Sequence, residues 1–320
     1  MVNVGYTLMC EQSGPKQLVD HAVRAEAAGF DHLVMSDHYN PWLESQGHSP
    51  YAWSVLGAVA HATSRAELLS FVTCPIRRYH PAVVAQKAST VGVLSDGRFT
   101  LGLGAGENLN EHVVGGWPHV QQRHEMFEEA LQIIRPLLRG ETLTFSGNHF
   151  DVPDAYLWDR PDRPVPMAVA ASGRQSATLA AEYADALIAT DPLPHLVEMY
   201  EEAGGAGRPR YAQVAVCYGP DEAECRKLAL DQFRWFGLGW KVNADLPDPH
   251  AFDAATQFVR EDDVAQNIPC GPDVDQHVEA FKKFVDAGFT HVALVQIGGD
   301  RQPMFLDWAQ EQLLPRLREL

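Results

Sequence analysis

Long apolar runs are absent from this 320-residue sequence. No stretch approaches the roughly 20 apolar residues a membrane span needs, and the opening MVNVGYTLMC has no charged segment followed by an apolar one. Neither a span nor a secretory leader is expected. Basic clusters are missing too: 25 Lys and Arg face 42 Asp and Glu, for a formal charge of -17. Nucleic acid is disfavoured as a partner, because neutralising phosphates takes clustered cations. Cysteine is sparse. The five residues Cys10, Cys74, Cys217, Cys225 and Cys270 are odd in number and contain no CxxC pair. That pattern argues against a disulfide framework or structural zinc and for reduced thiols in a cytoplasmic protein. No GxSxG, GxxxxGK[ST] or HExxH motif occurs, which removes the simplest hydrolase, triphosphatase and zinc-protease readings. The 14 histidines are dispersed, and no metal site is expected.

What the chain does contain is a regular alternation. Short apolar runs at Val4–Leu8, His32–Ser36, Leu68–Thr73, Phe99–Leu103, Val165–Ala170, Ala186–Ala189, Ala212–Cys217 and His291–Ile297 read as strands. Helical patterns lie between them, at Pro15–Ala28, Pro81–Leu94, His124–Leu138, Gln175–Tyr183, Leu193–Glu202, Asp221–Trp235 and Val274–Ala287, with a last one over Pro303–Arg318. Several stop at Gly, the residue that tolerates the left-handed turn closing a helix. "AEAAGFDHLVMSD" at 25–37 and "FVDAGFTHVALVQI" at 284–297 repeat one helix-stop-strand unit. The fold class expected is α/β, a (β/α)8 TIM barrel forming one domain over residues 1–320. Two long connections, about 105–164 and 236–273, are insertions. The first carries "GETLTFSGNHFDV", which reads as a hairpin turning at Ser146-Gly147-Asn148.

In a parallel barrel the loops leaving the strand C-termini share one rim, where chemistry is placed. Those exits are polar here. Glu11 follows the first strand, Asp37, His38 and Trp42 the second, Arg77-Arg78-Tyr79-His80 the third, and Ala105, Gly106, Glu107 and Asn110 the fourth. His38 is the candidate general base, since an imidazole near its ordinary pKa takes a proton at neutral pH. Ser172-Gly173-Arg174 opens a helix and suggests an anion site, although Ser172 or Ser176 as a helix cap reads equally well from that segment alone. The glycines of "LGLGAGENLN" read as a strand end kept slim for a flat ring. "WFGLGW" at 235–240 reads as a wall on the substrate side.

The ordered motifs "GYTLMCEQSGP", "SDHYNPW", "RYHPAV", "RFTLGLGAGENLNE", "GGWP" and "AASGR" resemble the bacterial luciferase-like superfamily. They are most similar to its branch of dehydrogenases that use the deazaflavin coenzyme F420. The resemblance spans essentially the whole chain and implies a luciferase-like (β/α)8 barrel, commonly a homodimer, with F420 at the C-terminal mouth. It implies that His38 removes the hydroxyl proton of a small-molecule alcohol or sugar while hydride leaves its carbon. Trp42 would pack beside the reacting centre, Glu107 would serve the cofactor's pyrimidine edge, and Glu11 would orient His38 or the substrate. Asp37, Ala105, Gly106 and Asn110 would hold the ring system, against a cis peptide at Phe71-Val72, and Ser172, Gly173 and Arg174 would take the tail phosphate.

The glucose-6-phosphate members of that branch clamp the sugar phosphate with a Thr and a nearby Lys after strand six and with cations later in the chain. This sequence has Thr190 but no Lys in Ala189–Pro194, and Ala265–Ile268 lacks an Arg, leaving Lys241 as a partial substitute. The resemblance therefore implies an uncharged hydroxyl substrate rather than glucose 6-phosphate. FMN-dependent monooxygenase and F420H2-dependent reductase are the alternatives, and a non-catalytic flavin or deazaflavin binder is the alternative from another class.

Overall fold

The computed structural model describes residues 2–320. Eight parallel strands close a barrel: β1 (Asn3–Leu8), β2 (His32–Met35), β3 (Glu67–Ser70), β4 (Phe99–Leu103), β7 (Met167–Ala170), β8 (Ala186–Ala189), β9 (Arg210–Val216) and β10 (His291–Gln296). They pair in chain order, and β1 closes on β10 through Asn3↔His291 to Tyr6↔Leu294. All eight strands expected from the sequence are present, Phe99–Leu103 and Ala186–Ala189 with the expected bounds and the others with ends moved by up to three residues. The antiparallel pair β5 (Leu143–Ser146) and β6 (Asp151–Ala155) stands outside the barrel. Its turn spans residues 147–150, because Ser146 pairs with Asp151 and so belongs to the strand.

Barrel strands are buried on both faces, so their sequences run apolar rather than alternating; all four residues of His32-Leu33-Val34-Met35 are buried. The helices outside supply one apolar stripe each. In Pro15–Ala28 that stripe is Leu18, Ala22 and Ala25, all buried, and Gly29 at φ 101° accepts the left-handed turn that ends the helix. Pro81–Leu94 begins as its sequence indicates. Pro81 occupies the first turn and His80 Nδ1 caps it by accepting from the Ala82 amide at 3.2 Å.

One helix was not legible. Ala52–Ala62 lies between β2 and β3, but Tyr51 offers no side-chain cap and Thr63, not Gly, ends it. No start or stop signal marks it. The insertion after β9 folds into short helices, Trp240–Asn243, Pro249–Ala255 and Glu261–Ala265. They cover a second apolar cluster, in which Trp42, Leu43, Leu109, Phe233, Phe252 and Ile268 pack together over one side of the mouth.

Candidate functional site at the barrel mouth

Three strand ends converge on His38. Its Nδ1 lies 2.9 Å from Glu11 Oε1, beyond β1, and its Nε2 lies 3.5 Å from Glu107 Oε1, beyond β4. Glu11 is itself anchored: Ser36 Oγ donates to its Oε2 at 2.7 Å, and the Cys10 amide donates to that hydroxyl at 3.0 Å. Glu11 is buried and His38 only slightly exposed. Nδ1 also lies 3.3 Å from the Asn40 carbonyl, but the shorter, charged contact to Glu11 fixes the ring. Nε2 is then the nitrogen left toward Glu107 and the mouth.

Charge follows from this geometry. Burial pushes the His38 pKa down, but the Glu11 charge and hydrogen bond, with Glu107 behind them, outweigh it and raise the value to about 9. Glu11 responds in kind: burial pushes it up, and the charge and hydrogen bond of His38 bring it below the ordinary carboxylate value. The sequence expectation of an imidazole poised near its ordinary pKa is therefore corrected. At neutral pH His38 rests as an imidazolium between carboxylates.

Trp42 walls one side, its ring centroid 5.0 Å from that of His38. Trp235, just ahead of the second insertion, stacks on Trp42 at 4.2 Å and 8°. Phe252 meets Trp42 edge-on at 5.2 Å. The "WFGLGW" segment thus reaches the site through its first residue.

Below the rim lies an ionic network that sequence reasoning missed. Arg78 is buried; its Nε donates to Glu111 Oε1 at 2.7 Å, and its guanidinium donates to the Asp37 carbonyl at 2.7 Å. Burial pulls the Arg78 pKa down, but Asp37 and Glu111 more than restore the charge. The available signal was "RYHPAV", which holds Arg78 and Tyr79 beside the helix start.

Two residues expected to hold the cofactor have side-chain partners within the protein. The Asp37 carboxylate accepts from Trp53 Nε1 at 3.1 Å, Thr73 Oγ1 at 2.7 Å and Tyr79 OH at 3.1 Å. It anchors the loop from inside. Asn110 Oδ1 accepts from the Tyr39 and Asn40 amides at 2.7 and 3.1 Å, while its amide donates to Glu107. Asn110 clips two rim loops together and aims Glu107.

The slim strand end is also filled from within. A Cβ at Gly102 would sit 1.9 Å from the Ser70 carbonyl oxygen, and one at Gly104 would sit 2.7 Å from Val72 Cγ2. Glycine here lets β4 close against β3. Gly106, at φ 77°, likewise backs onto Cys74 Sγ, and Ala105 is half-buried beside it. The Phe71-Val72 peptide is cis, as the resemblance implied, at the C-terminal end of β3.

Ser172-Gly173-Arg174 opens the helix Arg174–Tyr183, and no side chain caps it. Ser176 Oγ instead accepts from the Ser172 amide and donates to the Gly173 carbonyl, both at 3.1 Å. Arg174 is exposed, with Glu202 3.7 Å away, so the first-turn amides and a cation face open space. Thr190 and Lys241 are exposed. Neither is hydrogen-bonded to the His38 cluster.

The profile of the luciferase-like monooxygenase family matches residues 3–291. The chain belongs to that family. Within it, the chain is 37% identical to an F420-dependent glucose-6-phosphate dehydrogenase of Beutenbergia cavernae, over 99% of this chain and 98% of the relative. It is 36% identical to the enzyme of the same name in Microbacterium testaceum, covering 98% and 97%. A solved F420-dependent secondary alcohol dehydrogenase, in complex with an F420-acetone adduct, superposes with a TM-score of 0.90 at 29% identity over 99% of both chains. Other luciferase-like barrels share the fold at lower identity, including a coenzyme F420-dependent tetrahydromethanopterin reductase at 20% and a TM-score of 0.79.

Proposed function

We propose that this chain is an F420-dependent dehydrogenase of hydroxyl compounds. The observation that carries the reading is His38 held between Glu11 and Glu107 beside Trp42. A reaction that moves a proton on oxygen while hydride moves on carbon needs such an aimed proton carrier. The relatives support the cofactor and the reaction class.

The chain's own features fit an anionic-tailed deazaflavin. The uncapped helix N-terminus at Gly173, with exposed Ser172 and Arg174, offers amide donors and a cation to a phosphate. The Phe71-Val72 turn and the backbone of Ala105 and Gly106 border the ring position. When bound, the deazaflavin supplies the hydride acceptor. Glu11 holds Nδ1–H, which leaves Nε2 to exchange the proton with the substrate hydroxyl. Trp42, backed by Trp235, keeps water from that exchange and offers its face to the imidazolium. Glu107, 3.5 Å from Nε2, acts on His38 through its charge.

With its pKa raised to about 9, His38 is neutral in only roughly 1% of molecules at pH 7. Alcohol oxidation then accelerates as pH rises toward that value. The same observation favours a second reading, carbonyl reduction by the reduced cofactor, in which the imidazolium donates its proton to oxygen.

Glucose 6-phosphate is not the substrate in this reading. Lys241 is the one cation at the expected positions, and Asp191 beside Thr190 repels a dianion. Plain alcohols, hemiacetals or sugars fit better. Among the described residues no helix is long and apolar enough to cross a membrane, and no group of three or more His, Cys, Asp or Glu is placed to hold a metal ion. The five unpaired thiols accord with a cytoplasmic protein. A homodimer follows the family resemblance and is tested by sedimentation. Fluorescence titration of purified protein tests the cofactor: saturable F420 binding without comparable FMN binding is expected, and the opposite preference would make the chain a flavin enzyme.

A further inference from the structure

Three of the five cysteines meet far apart in sequence. Cys217 directly follows β9, Cys225 lies in the helix Glu222–Phe233, and Cys270 lies near the end of the second insertion. Cys217 and Cys270 face each other across an isolated parallel bridge, with the Cys217 amide donating to the Pro269 carbonyl at 2.9 Å and Gly271 returning a bond at 3.0 Å. The Cys217 thiol donates to the Cys225 carbonyl at 3.3 Å, which brings it beside the Cys225 side chain. A guanidinium completes the group. Arg301 Nη1, from the loop after β10, donates to Cys225 Sγ at 3.2 Å.

Gly219 is shaped around this contact. A Cβ there would sit 2.2 Å from Arg301 Nη1 and 2.7 Å from Cys225 Sγ. The thiols are buried, but Arg301 also lines a polar cavity of about 330 Å³ with Gln12, Gln46, His48 and Asp300. A small solute entering that cavity is one side chain from Cys225.

We propose that Cys225 and Cys217 form a peroxide-responsive thiol pair, in which Cys225 is the nucleophile and Cys217 the resolving thiol. The Cys225 thiolate attacks one oxygen of a hydroperoxide such as H2O2; the O–O bond breaks, and the departing oxygen takes the proton that Cys225 gave up and leaves as water. Cys217 sulfur then attacks the sulfenic sulfur, the S–OH bond breaks, and a second water carries off the Cys217 proton. Two thiols are oxidised and one peroxide is reduced.

Direction of charge agrees with the geometry. The neighbouring Cys217 and the Arg301 guanidinium lower the Cys225 pKa against burial. Cys10, Cys74 and Cys217 itself are raised, so Cys225 is the thiol that ionises first and attacks, and Cys217 acts after it.

The test uses the full chain, reduced and then treated with stoichiometric H2O2. Thiol counting after denaturation should fall from five to three, peptide mapping should find a Cys217–Cys225 disulfide, and a dithiol should restore all five. Cys217→Ser provides the second arm, since it leaves Cys225 without its resolving partner and should let dimedone label Cys225 as a sulfenic acid. Five thiols surviving treatment, or a bridge that omits Cys225 or Cys217, overturns the proposal, as does a Cys217→Ser protein that dimedone does not label at Cys225.

Discussion

His38 Nδ1 and Glu11 Oε1 lie 2.9 Å apart at the ends of adjacent barrel strands, with the carboxylate buried and anchored by Ser36. The pair decides when the imidazole carries its proton, and hence how the rate of each direction varies with pH. Oxidation of an alcohol should rise with pH through an inflection near 9. Glu11→Gln should move that inflection down by about one to two units, since a neutral amide cannot hold the imidazolium. A pH-rate profile that Glu11→Gln leaves unchanged would remove Glu11 from this role.

Trp235 reaches the site only through its stack on Trp42. Such a pair contributes about 0.5–1.5 kcal/mol beyond the area it buries. Trp235→Ala should therefore raise KM for the hydroxyl substrate up to roughly 10-fold, with a smaller effect on kcat. Steady-state kinetics with the best substrate checks this. A large fall in kcat at constant KM would place Trp235 in the chemistry instead.

Arg78 compensates two buried carboxylates, Asp37 and Glu111. Arg78→Met strands them, and breaking a buried pair from one side costs about 3–5 kcal/mol. Urea unfolding at pH 7 should show a loss of that order, partly recovered in Arg78→Met combined with Glu111→Gln. A single substitution that costs less than about 1 kcal/mol, the range of a surface pair, would mean that the network carries little.

Arg174 stands exposed at an uncapped helix start. Arg174→Ala should weaken F420 binding roughly 10-fold at low salt and less at high salt, because exposed charges are screened. The pH profile of turnover should not move. Equal F420 affinity in the two proteins at low salt would place the phosphate elsewhere.

At the opposite end of the barrel, His32 and His291 pack 5.7 Å apart. Burial, and for His32 the neighbouring His291, lowers their values to about 3 and about 4. A histidine depressed in the folded state binds its proton first in the unfolded chain. Stability is therefore full above about 6.5 and is lost as pH falls from there through the folded values. Thermal melts between pH 7 and 4 should show that loss, reduced in His32→Gln. An identical acid dependence in the variant would assign the loss to other groups.

Much of the scaffold was legible because barrel strands are short apolar runs and most helices begin or end on Pro, His or Gly signals. Ala52–Ala62 was not, since it lacks both kinds of signal. At the site, Glu11, His38, Trp42 and Glu107 could be placed on one rim from their positions after strands. Their charge could not, because the value of His38 is set by distances to two carboxylates that are remote in sequence. Arg78, Glu111 and Trp235 act through partners from other strands and insertions. The protein partners of Asn110, Gly102 and Gly104 were not legible for a related reason: a short polar or missing side chain serves a neighbouring backbone as readily as a ligand.

The most direct measurement is anaerobic incubation of the protein with oxidised F420 and a panel of plain alcohols, sugars and sugar phosphates, following the cofactor's visible absorbance. The account predicts bleaching with an uncharged hydroxyl compound, faster as pH approaches 9, and none in His38→Ala. Bleaching with glucose 6-phosphate alone, or equal rates in His38→Ala, would contradict it.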